Sequence, residues 1–130
     1  SAASDVYKRT GSDLKRCVDT ARIAVEGRNL PWEKMVLLRE IDWGSWTGLA
    51  IKEVDLQHFP ADVETEAMLY ERAGRFVDYL KERYDGKQVL AVGHGLINRA
   101  VQAHIQGVTL EHLRSVPKMN NAELRRFKLT

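Results

Sequence analysis

The chain has little of what would place it in several large protein classes. Cys17 is its only cysteine, so no internal disulfide can form, and an intracellular, reducing setting is expected. No cluster of cysteine and histidine has zinc-ligand spacing, so no metal is expected. His104 and His112 are too far apart for one helical face and read as surface or boundary histidines. His58, beside Phe59-Pro60, reads as a helix-end residue. No apolar run approaches membrane-spanning length and no secretory signal is visible. Nor does one sign of charge dominate. Twenty basic residues face eighteen acidic ones, a net charge of +2, too small and too scattered to argue for nucleic acid. No internal repeat or low-complexity tract appears. The expectation is one soluble, cytoplasmic domain, and its 130 residues, 44% of them apolar, can bury a sizeable core.

What is present centres on Val89-Leu90-Ala91-Val92-Gly93-His94-Gly95. Four apolar residues between glycines read as a buried parallel strand. Leu96, Ile97, Ala100, Val101 and Ile105 then follow helical spacing. The unit is strand, tight turn, helix, with a histidine at the turn. Ligands of open α/β sheets bind outside the carboxyl ends of strands, and helix amides just beyond His94 would stabilise an anion there. The bland alternative is a histidine that merely caps a turn.

Residues 1–10 show no clean period and are read as a non-native leader, outside the fold. Residues 11–130 are read as a partial domain. Ser12 suits an N-cap with Asp13 in the first turn. Leu14, Cys17, Val18, Ala21 and Val25 form an apolar stripe, and Gly27 ends that helix. Arg16 lies off the stripe, as a solvated arginine would. Residues 35–38 are expected to form a short strand, after which Glu40 stands at a strand end, either functional or a salt-bridge partner. Trp43 and Trp46, among glycines, suggest a packed loop with both tryptophans in the core. Residues 49–58 look like a short helix. Residues 64–84 look like a long amphipathic one, with Met68, Leu69, Ala73, Phe76, Val77 and Leu80 inward. Its charges, Arg72 and Arg75 among them, form a mostly solvated face. Residues 110–115 suggest a short helix capped by Thr109, and residues 123–129 alternate as an edge strand would.

Three motifs now stand in order: Ser12-Asp13-Leu14-Lys15-Arg16-Cys17-Val18-Asp19-Thr20-Ala21; Leu38-Arg39-Glu40 with Gly44-Ser45-Trp46-Thr47-Gly48; and Val92-Gly93-His94-Gly95. Together they resemble the histidine phosphatase superfamily, in its phosphoglycerate mutase-like branch. Glu64-Thr65 resembles the step that opens the family's next long helix. The resemblance implies a three-layer α/β/α fold with a mostly parallel sheet, phosphoglycerate mutase-like and incomplete at its N-terminus. It implies hydrolysis of phosphomonoesters through a phosphohistidine intermediate, without metal or cofactor. Arg16 would clamp phosphate through its planar fork of donors. His94 and Gly95 would bind the phosphoryl group, His94 as the second pocket histidine. Glu40 would be the general acid and then the base. The partner would be a small phosphorylated metabolite.

Two departures qualify the resemblance. No Arg-His-Gly, the family's opening motif with its nucleophilic histidine, occurs in the chain; truncation is the expected cause, leaving the chain inactive as given. Thr47 stands where many relatives have glutamate. A phosphatase is favoured over a mutase because the stretch between Gly48 and Glu64 is short and leaves little material for a lid. The alternatives are a catalytically dead pseudophosphatase that binds a phosphate ligand or regulates, and a generic α/β domain in which Arg16, Glu40 and His94 never meet.

Overall fold

The computed structural model describes residues 8–11, 32–120 and 123–129. Three short strands, β1 (Lys8–Gly11), β2 (Trp32–Lys34) and β3 (Val89–Val92), form a parallel sheet in the order β2-β1-β3. Gly11 is in register with Lys34 on one side and with Val92 on the other. All three carboxyl ends therefore lie on one edge. The middle strand includes residues 8–10, which the sequence reading left outside the fold with the rest of residues 1–10. Arg9, Thr10 and Gly11 pair on both sides, and Lys8 pairs with Val89; a strand of four residues is too short to display a period. The two parallel ladders and the position of the Val89–Val92 strand agree with the sequence, but the strand is half-buried rather than buried, with Ala91 exposed.

Among the described residues, two helices build the core. Helix α1 (Glu66–Arg83) starts at Thr65, whose hydroxyl accepts from the Met68 amide at 3.2 Å. It buries Leu69, Ala73, Phe76, Val77 and Leu80. Met68, expected inside, is half exposed, because the 4-3-4 spacing of Leu69, Ala73, Phe76 and Leu80 leaves it off the stripe. Helix α2 (Gly95–Gln106) buries Ile97, Ala100 and Ala103 against α1. The helices approach so closely at Gly74 that a Cβ there would lie 2.7 Å from the His104 ring. His104 is a boundary residue with a defined role: it stacks on Tyr70 and its Nε2 donates to the Tyr70 carbonyl at 2.7 Å. His112 is exposed, as expected.

Four further elements differ from the sequence reading. Residues 35–38 do not form a strand: β2 ends at Lys34, and Val36–Leu38 is a 3-10 turn with Leu38 buried. A short apolar run does not by itself distinguish a strand from a buried turn. Residues 49–58 hold only one 3-10 turn, Ile51–Glu53. Asp55 accepts from the Gln57 amide through its side chain at 2.9 Å and from the His58 amide through its carbonyl at 3.1 Å, a local turn that competes with helix. His58 thus ends no helix; its ring pairs with Asp55 at 2.7 Å. Residues 110–115 are a 3-10 helix, Leu110–Ser115, preceded by Thr109, whose side chain does not cap it. Residues 123–129 are irregular rather than an edge strand. Arg125 binds the Gln102 side chain and the carbonyls of Pro117 and Lys118, so side chains rather than a ladder hold this segment. On the other flank, Tyr79 and Tyr84 both donate to the Glu33 carboxylate and tie α1 to β2. The Glu33 bond, aided by burial, pushes the Tyr79 hydroxyl well above the ordinary tyrosine range.

Candidate active site

His94 follows β3 by two residues and occupies the position just before α2, where its side chain makes no capping bond. It is 7% exposed, too buried for a solvated turn histidine. The Asn98 side chain packs against the glycine preceding His94: a Cβ on Gly93 would lie 2.4 Å from the Asn98 side-chain oxygen, which would have to swing aside.

Glu40 reaches this turn from the other side of the chain. Its Oε2 accepts from the Leu96 amide at 2.9 Å, and its Oε1 accepts from the amides of Ile97 and Ile41, each at 3.1 Å. The carboxylate therefore sits on the first turn of α2, where unpaired amides and the helix dipole favour an anion. The sequence left Glu40 open as either a functional residue or an arginine's partner; among the described residues its side-chain oxygens bind the backbone amides of Ile41, Leu96 and Ile97. A Cβ on Gly95 would stand 3.8 Å from Glu40 Oε2, so Gly95 turns its bare Cα toward that carboxylate. Glu40 thus binds the first turn of the helix that His94 precedes. Arg16 lies outside the described residues.

The loop that carries Glu40 is anchored to α1 by an ion pair the sequence did not single out. Arg72 Nε and Nη2 donate to the Glu64 carboxylate at 2.7 and 2.9 Å. Its Nη1 donates to the Leu37 carbonyl at 2.7 Å and its Nη2 to the Glu40 carbonyl at 3.1 Å. Glu64 Oε1 accepts from the Asp42 amide at 3.0 Å, and the Glu64 amide donates to the Asp42 carbonyl at 2.7 Å. The side chains of Arg72 and Glu64 are only 11% and 12% exposed. Burial raises the Glu64 pKa, but the Arg72 bond, the Asp42 amide and the Arg72 charge outweigh it and hold the carboxyl below its ordinary range. Arg72 thus departs from the solvated face assigned to it. The available signal was its spacing: three residues after Leu69 and four before Phe76, it lies on the buried side.

An open cleft of about 890 Å3 runs beside this loop, with Arg39, Glu40, Trp43, Thr47, Arg72 and Arg75 in its lining. A smaller one of about 350 Å3 adjoins it at Ile41, Trp43 and Glu64 and extends to Leu56, Phe59 and Arg114. Trp43 is 43% exposed, which corrects its placement in the core; Trp46 packs on Phe59 with ring centres 4.7 Å apart. The turn between them depends on Gly44, at φ +49°, where a Cβ would lie 2.1 Å from the Asp62 carbonyl oxygen. Among the described residues, no group of three or more histidine, cysteine or acidic side chains is placed to hold a metal. No helix among them is long and apolar enough to cross a membrane.

Comparison with known proteins places the architecture. The chain is 30% identical to phosphoserine phosphatase 1 of Hydrogenobacter thermophilus over 114 residues, covering 76% of this chain and 54% of that protein. It spans about half the length of that curated relative. Among solved structures, Bacillus stearothermophilus YhfR is 29% identical with a TM-score of 0.77, over 88% of this chain and 64% of that one. The alpha-ribazole phosphatase of Shigella flexneri is 21% identical, has a TM-score of 0.76, and is matched over 92% of this chain and 68% of that one. The fold is the phosphoglycerate mutase-like α/β fold. The model of the histidine phosphatase superfamily (branch 1) matches residues 3–130, and the chain belongs to that family.

Proposed function

We propose that this chain carries the acid-base and phosphate-binding half of a phosphomonoesterase acting on a small phosphorylated metabolite. The carrying observation is the Glu40 carboxylate on the first turn of α2, two residues beyond His94. In the proposed reaction a histidine on an Arg-His-Gly segment, which these 130 residues do not contain, attacks phosphorus in line. The P–O bond to the leaving group breaks, and Glu40 gives that oxygen its proton. Water then attacks the phosphohistidine, Glu40 takes back a proton, and the P–N bond breaks to release phosphate. Arg16, His94 and the Gly95 backbone offset the charge on the transferring group. The family and the phosphatase names of the relatives support this reading.

The test is phosphate release from an alkyl phosphate and from p-nitrophenyl phosphate by the protein encoded by the full gene that contains this chain. Turnover is expected on both. Glu40→Gln should lower kcat on the alkyl ester by about 10²–10⁴-fold, the usual worth of a positioned acid-base group. The loss should be smaller on p-nitrophenyl phosphate, whose leaving group needs no proton. Binding of phosphate without turnover would overturn the enzyme and leave a binding module.

A further inference from the structure

The geometry points to Arg72 and Glu64 as positioning residues for Glu40: their ion pair straps the loop at residues 37, 40 and 42 to α1 and so delivers the Glu40 carboxylate to the first turn of α2. The inference rests on the acid-base reading of Glu40 given above.

Three observations carry it. First, every backbone group that the pair binds lies in the stretch flanking Glu40: the carbonyls of Leu37 and Glu40 and the amide and carbonyl of Asp42. Second, Glu40 is held at both ends, its carbonyl by Arg72 and its carboxylate by the amides of Leu96 and Ile97. The ion pair and α2 thus fix the two ends of one side chain. Third, the stretch is irregular: after the Val36–Leu38 turn, no helix or strand holds residues 39–43. A buried ion pair is a poor device for stability, since well-packed apolar side chains do as well. Its directional donors and acceptors can, however, fix a loop that lacks a ladder of its own. The guanidinium is suited to this because its planar fork serves a carboxylate and two carbonyls at once; a lysine ammonium at the end of a flexible stem cannot hold all three in one plane.

The test is a double-mutant cycle in the active full-length phosphatase, pairing Arg72→Lys with Glu40→Gln. Arg72→Lys should lower kcat on an alkyl phosphate by about 10²-fold with KM unchanged, the effect of a roughly 1 Å misplacement. The loss should be smaller on p-nitrophenyl phosphate. In the Glu40→Gln background the Arg72 substitution should cost nothing further, because a residue acting only through Glu40 has nothing left to position. Losses that multiply, or that are equal on both substrates, would overturn the proposal and mark the pair as structural. If Glu40→Gln is slow while Arg72→Lys matches the parent, positioning alone fails and the acid-base reading stands. If Glu40→Gln itself turns over normally, both fail. Should Arg72→Lys not give a cooperative thermal transition, Glu64→Gln carries the same cycle, since it removes the charge yet keeps one oxygen for the Asp42 amide.

Discussion

Helix α1 is held to its surroundings by two arginine–glutamate pairs of nearly equal length. Arg72 meets Glu64 at 2.7 Å and Arg114 meets Glu66 at 2.8 Å. Distance therefore does not separate them; environment does. The first pair is 11% and 12% exposed and shares its atoms with three backbone groups, whereas the second is 82% and 39% exposed and makes one bond. In water the Coulomb gain of a contact pair is about 1 kcal/mol and is offset by side-chain ordering. In the interior the attraction is larger, but so is the cost of leaving one partner alone. The two pairs should thus respond very differently to the same kind of substitution.

The largest difference should appear when one charge is removed. Arg72→Met leaves the Glu64 carboxylate buried without its cation and should destabilise the protein by about 3–5 kcal/mol. Replacing both partners with apolar residues should recover only part of this. The Leu37 and Glu40 carbonyls and the Asp42 amide lose their partners as well, each at about 1–3 kcal/mol where it stays buried. Urea unfolding of the parent and of these two variants with an unchanged m-value reads these costs directly. Full recovery in the double variant would mean that the backbone bonds contribute little.

The same contrast explains what the sequence made legible. Strand β3, the turn at His94 and helix α2 were readable because apolar residues at strand and then helical spacing, between glycines, leave few alternatives. The buried face of α1 was readable for the same reason, apart from Met68. Glu40 was legible as a residue at a strand end, but its actual partners, the amides of Leu96 and Ile97, lie more than fifty residues away. No local pattern carries such a contact. Arg72 was hidden by its type: its spacing from Leu69 and Phe76 placed it on the buried side, but an arginine on a helix full of charge reads first as solvated. Strand β1 was missed because four residues with a glycine have no period. The tail at residues 123–129 was misread because alternation requires a neighbouring strand to become a ladder. Arg16, the third proposed site residue, falls outside the described residues.

A smaller effect separates the buried pair by pH. The folded-state pKa of Glu64 is lowered, since the Arg72 bond, the Asp42 amide and the Arg72 charge outweigh burial. A depressed carboxyl pKa stabilises the fold fully above its unfolded value, about 4.3 for glutamate, and that stabilisation is lost as pH falls through the folded value. The stability gap between the parent protein and Glu64→Gln should therefore hold steady at neutral pH and shrink as the solution is acidified below the ordinary carboxylate range. Denaturant midpoints at a series of pH values check this. A gap that widens in acid would reverse the assigned sign.

The smallest effect belongs to the exposed pair. Arg114→Ala is the cleaner probe, because Glu66 stands in the first turn of α1, where its charge also meets the helix dipole at a worth of about 0.3–1 kcal/mol. Removing the arginine should change stability by less than about 0.5 kcal/mol, within the range of exposed ion pairs and surface substitutions. Added salt should reduce even that, because screening acts on the exposed charges of Arg114 and Glu66 far more than on the enclosed Arg72 and Glu64. A cost approaching that of Arg72→Met would show that exposure does not separate the two pairs. The smaller cleft, which both Glu66 and Arg114 line beside Trp43, would then be held open by a contact as demanding as the one behind Glu40.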